Sequence, residues 1–543
     1  MIFEQLSLNY FSKFISRDEF LLFSNTMQTL SADGLVEAGM SEKRLLALLF
    51  ENKIPDNFFK NPRNLVLFCS SLPMRTQDLI ISALNINSIT DVKWDQHTSD
   101  FFIQRFFLNK KFRLTVDIDS YIKSTSLLTI EEPLIRFKSL KEYQYGIYFE
   151  VNKYLVETPF ARCIIQMPTG SGKTRTAMEI VCEYINETGR DVLWLANTQE
   201  LCGQAFDSFL ECWNFLRKCK LQAVNHLNGS GGAINNLEDA IPRFHVATIQ
   251  SINSETKIRK FIINKIKIER LGLVVVDEAH ISIAPTYRSS IEKLLNGVDV
   301  KLIGLTATPG RQMRNNSSIE NDQLSDFYFN KLFTLKTPLE NPIEFLQKSK
   351  ILARVKYFSI EGSTVQNLLS PAELNRCLLS NSIPKKIEQI LTLDTMRNVV
   401  IYNNLVRLLD EGKKIIFFAT SLDHSMLMTT LLRLNNYRVE HVDGNSGSYR
   451  KQIIEDFKSD KLQILCNYGV LSTGFDDPKI DVVFMSRPTN SIVLYSQIIG
   501  RGLRGPLIGG TDSCEIYTVL DNILDMPDNK DIYSYFDDYF INN

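Results

Sequence analysis

The sequence carries almost no surplus of charge: 61 lysines and arginines stand against 62 aspartates and glutamates, a formal net charge of −1 over 543 residues. That excludes a protein holding nucleic acid or an anionic membrane by bulk electrostatics, so any polyanion has to be gripped in a local groove. No run of about 18 apolar residues occurs, and the opening Met1-Ile-Phe-Glu-Gln-Leu6 lacks a basic lead followed by an apolar stretch. A membrane helix and a secretory leader are not expected, and the chain reads as soluble and cytoplasmic. Nine cysteines form no Cys-x-x-Cys pair, which argues against a disulfide framework or a zinc ribbon and for a reducing compartment. There is no internal sequence repeat, and no spaced set of acidic residues with a lysine that would suit a nuclease.

What is present starts at Met167-Pro168-Thr169-Gly170-Ser171-Gly172-Lys173-Thr174. Phosphates need several backbone N–H groups converging on one point, so the loop must bend where side chains would collide, and Gly170 and Gly172 sit in that bend. Lys173 then reaches the β- and γ-phosphates as a point charge and Thr174 offers a hydroxyl to Mg²⁺. Arg162 to Met167 reads as a short buried strand and Thr176 to Cys182 has helical periodicity, which places the anion at a helix N-terminus. About a hundred residues on, the apolar run Leu271 to Val276 reads as a strand buried on both faces and delivers Asp277 and Glu278 to its carboxyl end. Asp277 can hold the magnesium and Glu278 can orient or deprotonate the attacking water. Together the two runs predict hydrolysis of a nucleoside triphosphate, with ATP and Mg²⁺ as cofactors.

The order of further segments resembles superfamily 2 helicases and translocases from about Phe137 to Asn522. Leu140-Lys-Glu-Tyr143-Gln144 resembles the adenine-reading segment. Asp191 to Ala196 followed by Gln199-Glu-Leu-Cys-Gly-Gln204, and Val246-Ala-Thr248-Ile-Gln250-Ser251, resemble contacts to a nucleic-acid backbone, which implies Thr198, Gln199, Thr248 and Gln250 as contacts. Gly304-Leu-Thr306-Ala-Thr308-Pro309 resembles the segment that couples hydrolysis to domain movement, and the resemblance gives His280 the same role. Downstream, Leu465 to Pro478 implies Thr473 as a nucleic-acid contact and Gly474 and Asp476 at the nucleotide. Gln497-Ile-Ile-Gly-Arg501-Gly-Leu-Arg504 implies Gln497 in catalysis and Arg501 and Arg504 as arginine fingers. These arginines lie 328 and 331 residues after Lys173, so they reach the γ-phosphate only if two domains close over the nucleotide. Met167 in place of the first loop glycine is the one departure. Gln497 to Arg504, Pro342 to Leu346 leading into Ile351-Leu-Ala353, Arg397-Asn398 and Cys514 to Asn522 are closest to the motor subunits of type I and type III restriction enzymes and repair-related duplex helicases.

The implied fold is α/β: two tandem RecA-like parallel-sheet domains, at residues 130–338 and 339–543, behind a mainly helical N-terminal domain at 1–129. Strands are expected at Lys414–Ala419, Val439–Val442, Gln463–Cys466, Val482–Met485 and Glu515–Val519, and a polar loop at Arg311–Asp322. In the N-terminal part, Ser16-Arg-Asp-Glu19 has capping-box form, and Phe101 to Arg113 interleaves bases with aromatics, a composition read as a buried helix with a basic end in preference to a stacking surface. Lys257 to Arg270 reads as an amphipathic cover helix. The expected activity is an ATP-dependent helicase or translocase acting on nucleic acid, on DNA rather than RNA, in repair or antiviral defence. The alternatives are an ATP-gated sensor subunit that signals through its N-terminal domain to a nuclease or other defence partner without unwinding, and an RNA helicase.

Overall fold

The computed structural model describes residues 2–32, 42–54, 58–106, 108, 139–225, 241–253, 256–257, 268–296, 299–307, 318–336, 341–363, 385–444, 446, 449–471, 475, 477–488, 497–498, 500 and 502–521. Thr308, Thr473, Gly474, Asp476 and Arg501 lie outside these residues, as does most of Lys257–Arg270.

Short apolar runs separated by helical segments fold as parallel sheets because each strand needs cover on both faces. The first sheet contains β1 (Arg162–Gln166), β2 (Asp191–Ala196), β3 (Gln222–Asn225), β4 (Arg243–Thr248), β5 (Leu271–Asp277), β6 (Lys301–Thr306) and β7 (Leu332–Thr334) in the order β3-β4-β2-β5-β6-β1-β7, every pairing parallel. Alternation along the strands sorts the core. Ile165, Trp194, Val275 and Ile303 pack under the helices Glu142–Glu157, Lys173–Thr188 and Gln199–Leu216, while Ile164, Leu193, Val274 and Leu302 face Pro285–Leu295 and Ser318–Phe327. The last of these helices corrects the expected polar loop: from Ser318 the chain is helical, because Leu324, Phe327 and Tyr328 need burial against this second face.

The second sheet contains β8 (Arg354–Glu361), β9 (Ile415–Phe418), β10 (Val439–Val442), β11 (Ile464–Asn467), β12 (Val482–Met485) and β13 (Ser513–Leu520) in the order β10-β11-β9-β12-β13-β8, again all parallel. Five of these strands fall within two residues of the sequence expectation at either end; β8, an exposed edge strand, was not among the expected ones. Phe418, Leu465, Val483 and Ile516 join the apolar core that also holds the first sheet's Ile165 and Val275. The opposite face, with Phe417, Cys466, Phe484 and Tyr517, is covered by the helices Thr395–Asp410 and Leu422–Leu434.

The N-terminal region is helical over Leu8–Phe11, Arg17–Ala32, Glu42–Lys53, Pro62–Ser70, Met74–Leu84 and Gln96–Phe106. Its start carries the expected capping box: Ser16 N–H donates to Glu19 Oε2 at 2.7 Å and Glu19 N–H to Ser16 Oγ at 3.3 Å. Phe3, Phe50, Phe59, Phe68 and Phe102 build an aromatic core, with Phe59 stacked on Trp94 at 4.7 Å. Phe102 and Phe106 are buried there while Gln104 and Arg105 are exposed, so the described part of the Phe101–Arg113 segment is a helix with its aromatic face in the core. Leu22, Phe23, Met27, Leu30 and Leu45 point elsewhere, into one apolar cluster with Val399, Tyr402, Leu405, Leu427 and Leu431. The N-terminal helices therefore form a third layer on the back of the second sheet, although the first sheet follows them in the chain.

Candidate nucleotide and nucleic-acid site

The phosphate loop leaves β1, a strand buried from Cys163 onward, and enters the helix Lys173–Thr188. Gly170 and Gly172 have φ of +91° and +86°, a left-handed backbone that side chains resist. Ser171 Oγ closes the turn onto Pro168 O at 2.7 Å, and Met167 N–H extends the β1–β6 ladder to Thr306 O at 3.1 Å. Tyr143 Oη donates to Ser171 O at 2.6 Å, while Gln144 Nε2 reaches Gly172 O at 3.2 Å and Thr176 Oγ1 at 3.1 Å. Both side chains of the supposed adenine-reading segment thus brace the loop from behind. A Cβ at Gly172 would lie 2.5 Å from that Gln144 amide, so glycine is required there twice over.

Asp277 ends β5, and its Oδ1 accepts the N–H of Glu278 at 3.1 Å. Burial pushes the Asp277 carboxyl up to about 6, Lys173 draws it down and Glu278 adds to the rise. A buried carboxylate with so little reward for its charge is suited to a divalent cation. Glu278 itself adopts φ +62°, uncommon for a non-glycine residue, and its Oε2 lies 3.5 Å from Nδ1 of His280. Lys173, Asp277 and Glu278 interact at the carboxyl edge of the first sheet, and Thr174 follows Lys173 in the first turn of the loop helix; these donor and acceptor types suit a magnesium nucleotide.

The second domain brings Arg504 to the same loop. A Cβ on Gly170 would collide with the Arg504 guanidinium and come within 3.0 Å of Leu352 Cδ2. The Arg504 backbone is pinned on both sides: it bridges to Leu352, Gly505 N–H donates to Ile351 O at 2.9 Å, and Thr511 N–H donates to Arg504 O at 3.1 Å. Gln497 is buried close to this segment in sequence.

At the tips of β2 and β4, Thr198 Oγ1 caps the helix Gln199–Leu216 through Leu201 N–H at 3.2 Å, and Gln250 Nε2 donates to Asn197 Oδ1 at 2.8 Å. Thr198, Gln199, Thr248 and Gln250 thus come together on one edge. Asn197 was missed, its only signal being a polar residue at the end of a buried strand. Arg450 of the second domain was missed as well, and it crosses to Glu200 at 3.1 Å. Arg397 and Asp521, noted in the sequence only as marks of one branch, form a buried two-pronged ion pair, Nε to Oδ1 2.6 Å and Nη2 to Oδ2 2.8 Å.

Residues 137–311 match the family model for the type III restriction enzyme res subunit, and residues 399–505 match the helicase conserved C-terminal domain. The chain carries a superfamily 2 helicase motor of the restriction-enzyme type. The motor is 26% identical to a 51.5 kDa protein of a Lactococcus phage (isolate 7-9), over 63% of this chain and 62% of the relative. It is 22% identical to the type I restriction enzyme EcoKI endonuclease subunit of Escherichia coli (strain K12), over 71% of this chain and 35% of the relative. The chain thus spans under two thirds of either length. A DEAD-box ATP-dependent RNA helicase of Arabidopsis thaliana is 24% identical over 67% of this chain and 68% of its own. Among solved structures, the Pyrococcus furiosus Hef helicase domain superposes with a TM-score of 0.42 at 19% identity, over 69% of this chain and 95% of that one. The motor's relatives include a restriction endonuclease subunit and an RNA helicase. Among the described residues, no helix is long and apolar enough to cross a membrane.

Proposed function

We propose that this chain hydrolyses ATP to move along DNA, as a translocase or helicase in repair or in defence against foreign DNA. The observation that carries the reading is the Arg504 guanidinium at Gly170, which puts a second-domain cation at the phosphate loop of the first. Its parts are the helical region 1–129 and the motor domains 130–338 and 339–543, in a reducing, cytoplasmic setting.

Bound Mg·ATP supplies the phosphoanhydride to be broken and, through the metal, a sink for developing charge. The chain does the rest. Backbone N–H groups of Thr169 to Thr174 cradle the phosphates, Lys173 neutralises them, and Thr174 and Asp277 hold the metal. Glu278 takes the proton of the attacking water at a carboxylate oxygen, with His280 beside it to fix its orientation. Arg504, with Arg501 and Gln497 by resemblance, donates to the transferring phosphoryl group only while the two sheets are closed together. Gly474 and Asp476 complete the nucleotide site. Closure and reopening pass through Thr306 and Thr308 to the contacts at Thr198, Gln199, Thr248, Gln250 and Thr473, so that hydrolysis becomes a shift of grip on the strand.

A sensor subunit that reports the nucleotide state to a nuclease is the second reading; the N-terminal layer on the back of the second domain supports it, because any movement of that domain carries the layer along. ATP turnover with duplex DNA, single-stranded DNA, single-stranded RNA and no polymer, against a Glu278→Gln blank, tests the proposal. Stimulation by DNA with release of a displaced strand is the expected result. Stimulation by RNA alone overturns the substrate, and stimulation without strand release or translocation favours the sensor.

A further inference from the structure

Arg487 follows β12 and Tyr468 follows β11, and between the two strands runs β9. Two interstrand steps separate their tips, roughly 10 Å, yet the Arg487 guanidinium reaches across the end of β9 and sits 5.1 Å from the centroid of the Tyr468 ring. A third side chain holds the pair. Glu388, in the helix Lys385–Leu393, accepts from Arg487 Nη2 at 3.2 Å and from Tyr468 Oη at 3.2 and 3.4 Å. The helix is tied to the tip of β9 by Thr392 Oγ1 and Ser421 Oγ, 2.8 Å apart. The Glu388 side chain is 10% exposed and that of Arg487 25%. The carboxylate is largely buried, and the guanidinium beside it is partly exposed over the Tyr468 ring.

The position is the carboxyl edge of a parallel sheet, where α/β folds present ligands. Tyr468 opens the segment that leads to Thr473, and the helix bearing Glu388 starts with two exposed lysines, Lys385 and Lys386. A guanidinium laid on an aromatic face has five N–H donors, of which the described contacts name one, and it offers both a plane for a base and donors for a phosphate. Structural packing alone needs neither the reach across β9 nor a buried carboxylate to hold the arginine in place.

We propose that Arg487 and Tyr468 form a strand grip on the second domain, taking one nucleotide of single-stranded nucleic acid by stacking and by its phosphate, with Glu388 as the positioning residue. The grip rests on nucleic acid being the polymer this motor works on. It supplies a contact on the second domain to match Thr198 and Gln250 on the first, so that opening and closing change the distance between two holds on one strand.

The test is binding of fluorescent single-stranded DNA and RNA oligonucleotides by the full chain across a salt series, beside melting temperature and polymer-free ATP turnover. Arg487→Gln is expected to weaken binding about 5-fold to 100-fold and to lower the salt slope by about 1. Arg487→Lys keeps the slope and loses affinity, since it keeps charge without the plane. Tyr468→Leu weakens binding while leaving the slope. Tyr468→Phe keeps the ring but releases it from Glu388, and gives an intermediate loss. In all four, polymer-free turnover stays at the wild-type level and melting falls by no more than a few degrees, one of Tyr468 and Arg487 still serving the Glu388 carboxylate. Wild-type binding that Arg487→Gln leaves unaltered in strength and slope overturns the grip alone. Loss of binding that only parallels loss of melting temperature and polymer-free turnover assigns the triad to the fold and also overturns it. A wild-type chain that binds neither strand overturns both the grip and the function it rests on.

Discussion

Replacing Asp521 by asparagine should unfold the second domain more readily than any single surface change in the chain. Arg397 and Asp521 are 1% and 0% exposed in their side chains, and every guanidinium nitrogen has a partner: Nε and Nη2 bind the two Asp521 oxygens, Nη2 also Ser486 O at 2.5 Å, and Nη1 Thr420 Oγ1 at 3.2 Å. Asp521 Oδ1 further accepts Ser363 N–H at 3.0 Å. Asparagine keeps one carbonyl oxygen for Ser363 and Arg397 but leaves a buried cation without a counter-charge. Breaking such a pair from one side costs about 3–5 kcal/mol. For a domain of some 200 residues that is on the order of 10 °C in melting temperature. Arg397→Met should cost a similar amount by stranding the carboxylate. The double variant Arg397→Met with Asp521→Leu removes both charges and should recover most of the loss, short of roughly 1 kcal/mol for each hydrogen bond given up by Ser363 and Thr420. Urea melts of wild type, Arg397→Met, Asp521→Leu and the double variant close a double-mutant cycle whose coupling energy should be about 3 kcal/mol or more. Single variants within 1 kcal/mol of wild type, or a cycle that sums to zero, would refute the account of this pair.

Four further outcomes are expected. Lys173→Ala and Glu278→Gln should each abolish ATP turnover, the second while retaining nucleotide, as read by filter binding beside phosphate release; undiminished turnover in either would refute the site. Arg504→Ala should slow single-turnover hydrolysis far more than it weakens nucleotide binding, with equal losses removing the finger role. Gly505→Ala places a methyl against Lys350 O and Ile351 O and should push the Arg504 segment off its seat, reproducing the kinetic loss of Arg504→Ala. His424 is buried and its Nδ1 accepts Thr420 N–H at 3.2 Å; burial, then the charge of Arg397, holds its pKa well below the ordinary value. The unfolded chain therefore takes up the proton first: stability is whole above pH 6.5 and falls by up to about 1.4 kcal/mol per pH unit as the solution is made more acidic. Denaturation of His424→Gln at pH 7.5 and 5.0 should lack that share of the acid loss.

The phosphate loop was legible because its constraint is local: two glycines in a bend, with a buried strand before and a helix after, leave the backbone few choices. Strands of the second domain were legible for the same reason, each being an apolar run with covered faces. By contrast β8 reads Arg354-Val-Lys-Tyr-Phe-Ser-Ile-Glu361, a mostly exposed edge strand in which only Ile360 is buried, and its periodicity says little about its neighbour. The contacts Arg450 to Glu200 and Arg487 to Glu388 join residues 250 and 99 positions apart, and nothing in either neighbourhood names its partner. Gln144 shows a limit of a different kind. Resemblance identified its segment but not the work of its amide, which the structure spends on the Gly172 carbonyl and Thr176. The docking of the N-terminal helices was invisible because the apolar faces of Leu22–Leu30 and Leu45 would look the same packed against each other.

That docking also sets a timetable. Leu22, Phe23, Met27, Leu30 and Leu45 are synthesised early, but the surface that buries them, from Val399 to Leu432, is made some 350 residues later. At roughly 5–20 residues per second, the nascent chain carries an uncovered apolar face for about 20–70 seconds while the whole first domain is completed ahead of its mate. The first helices to leave the ribosome are thus among the last to find their place.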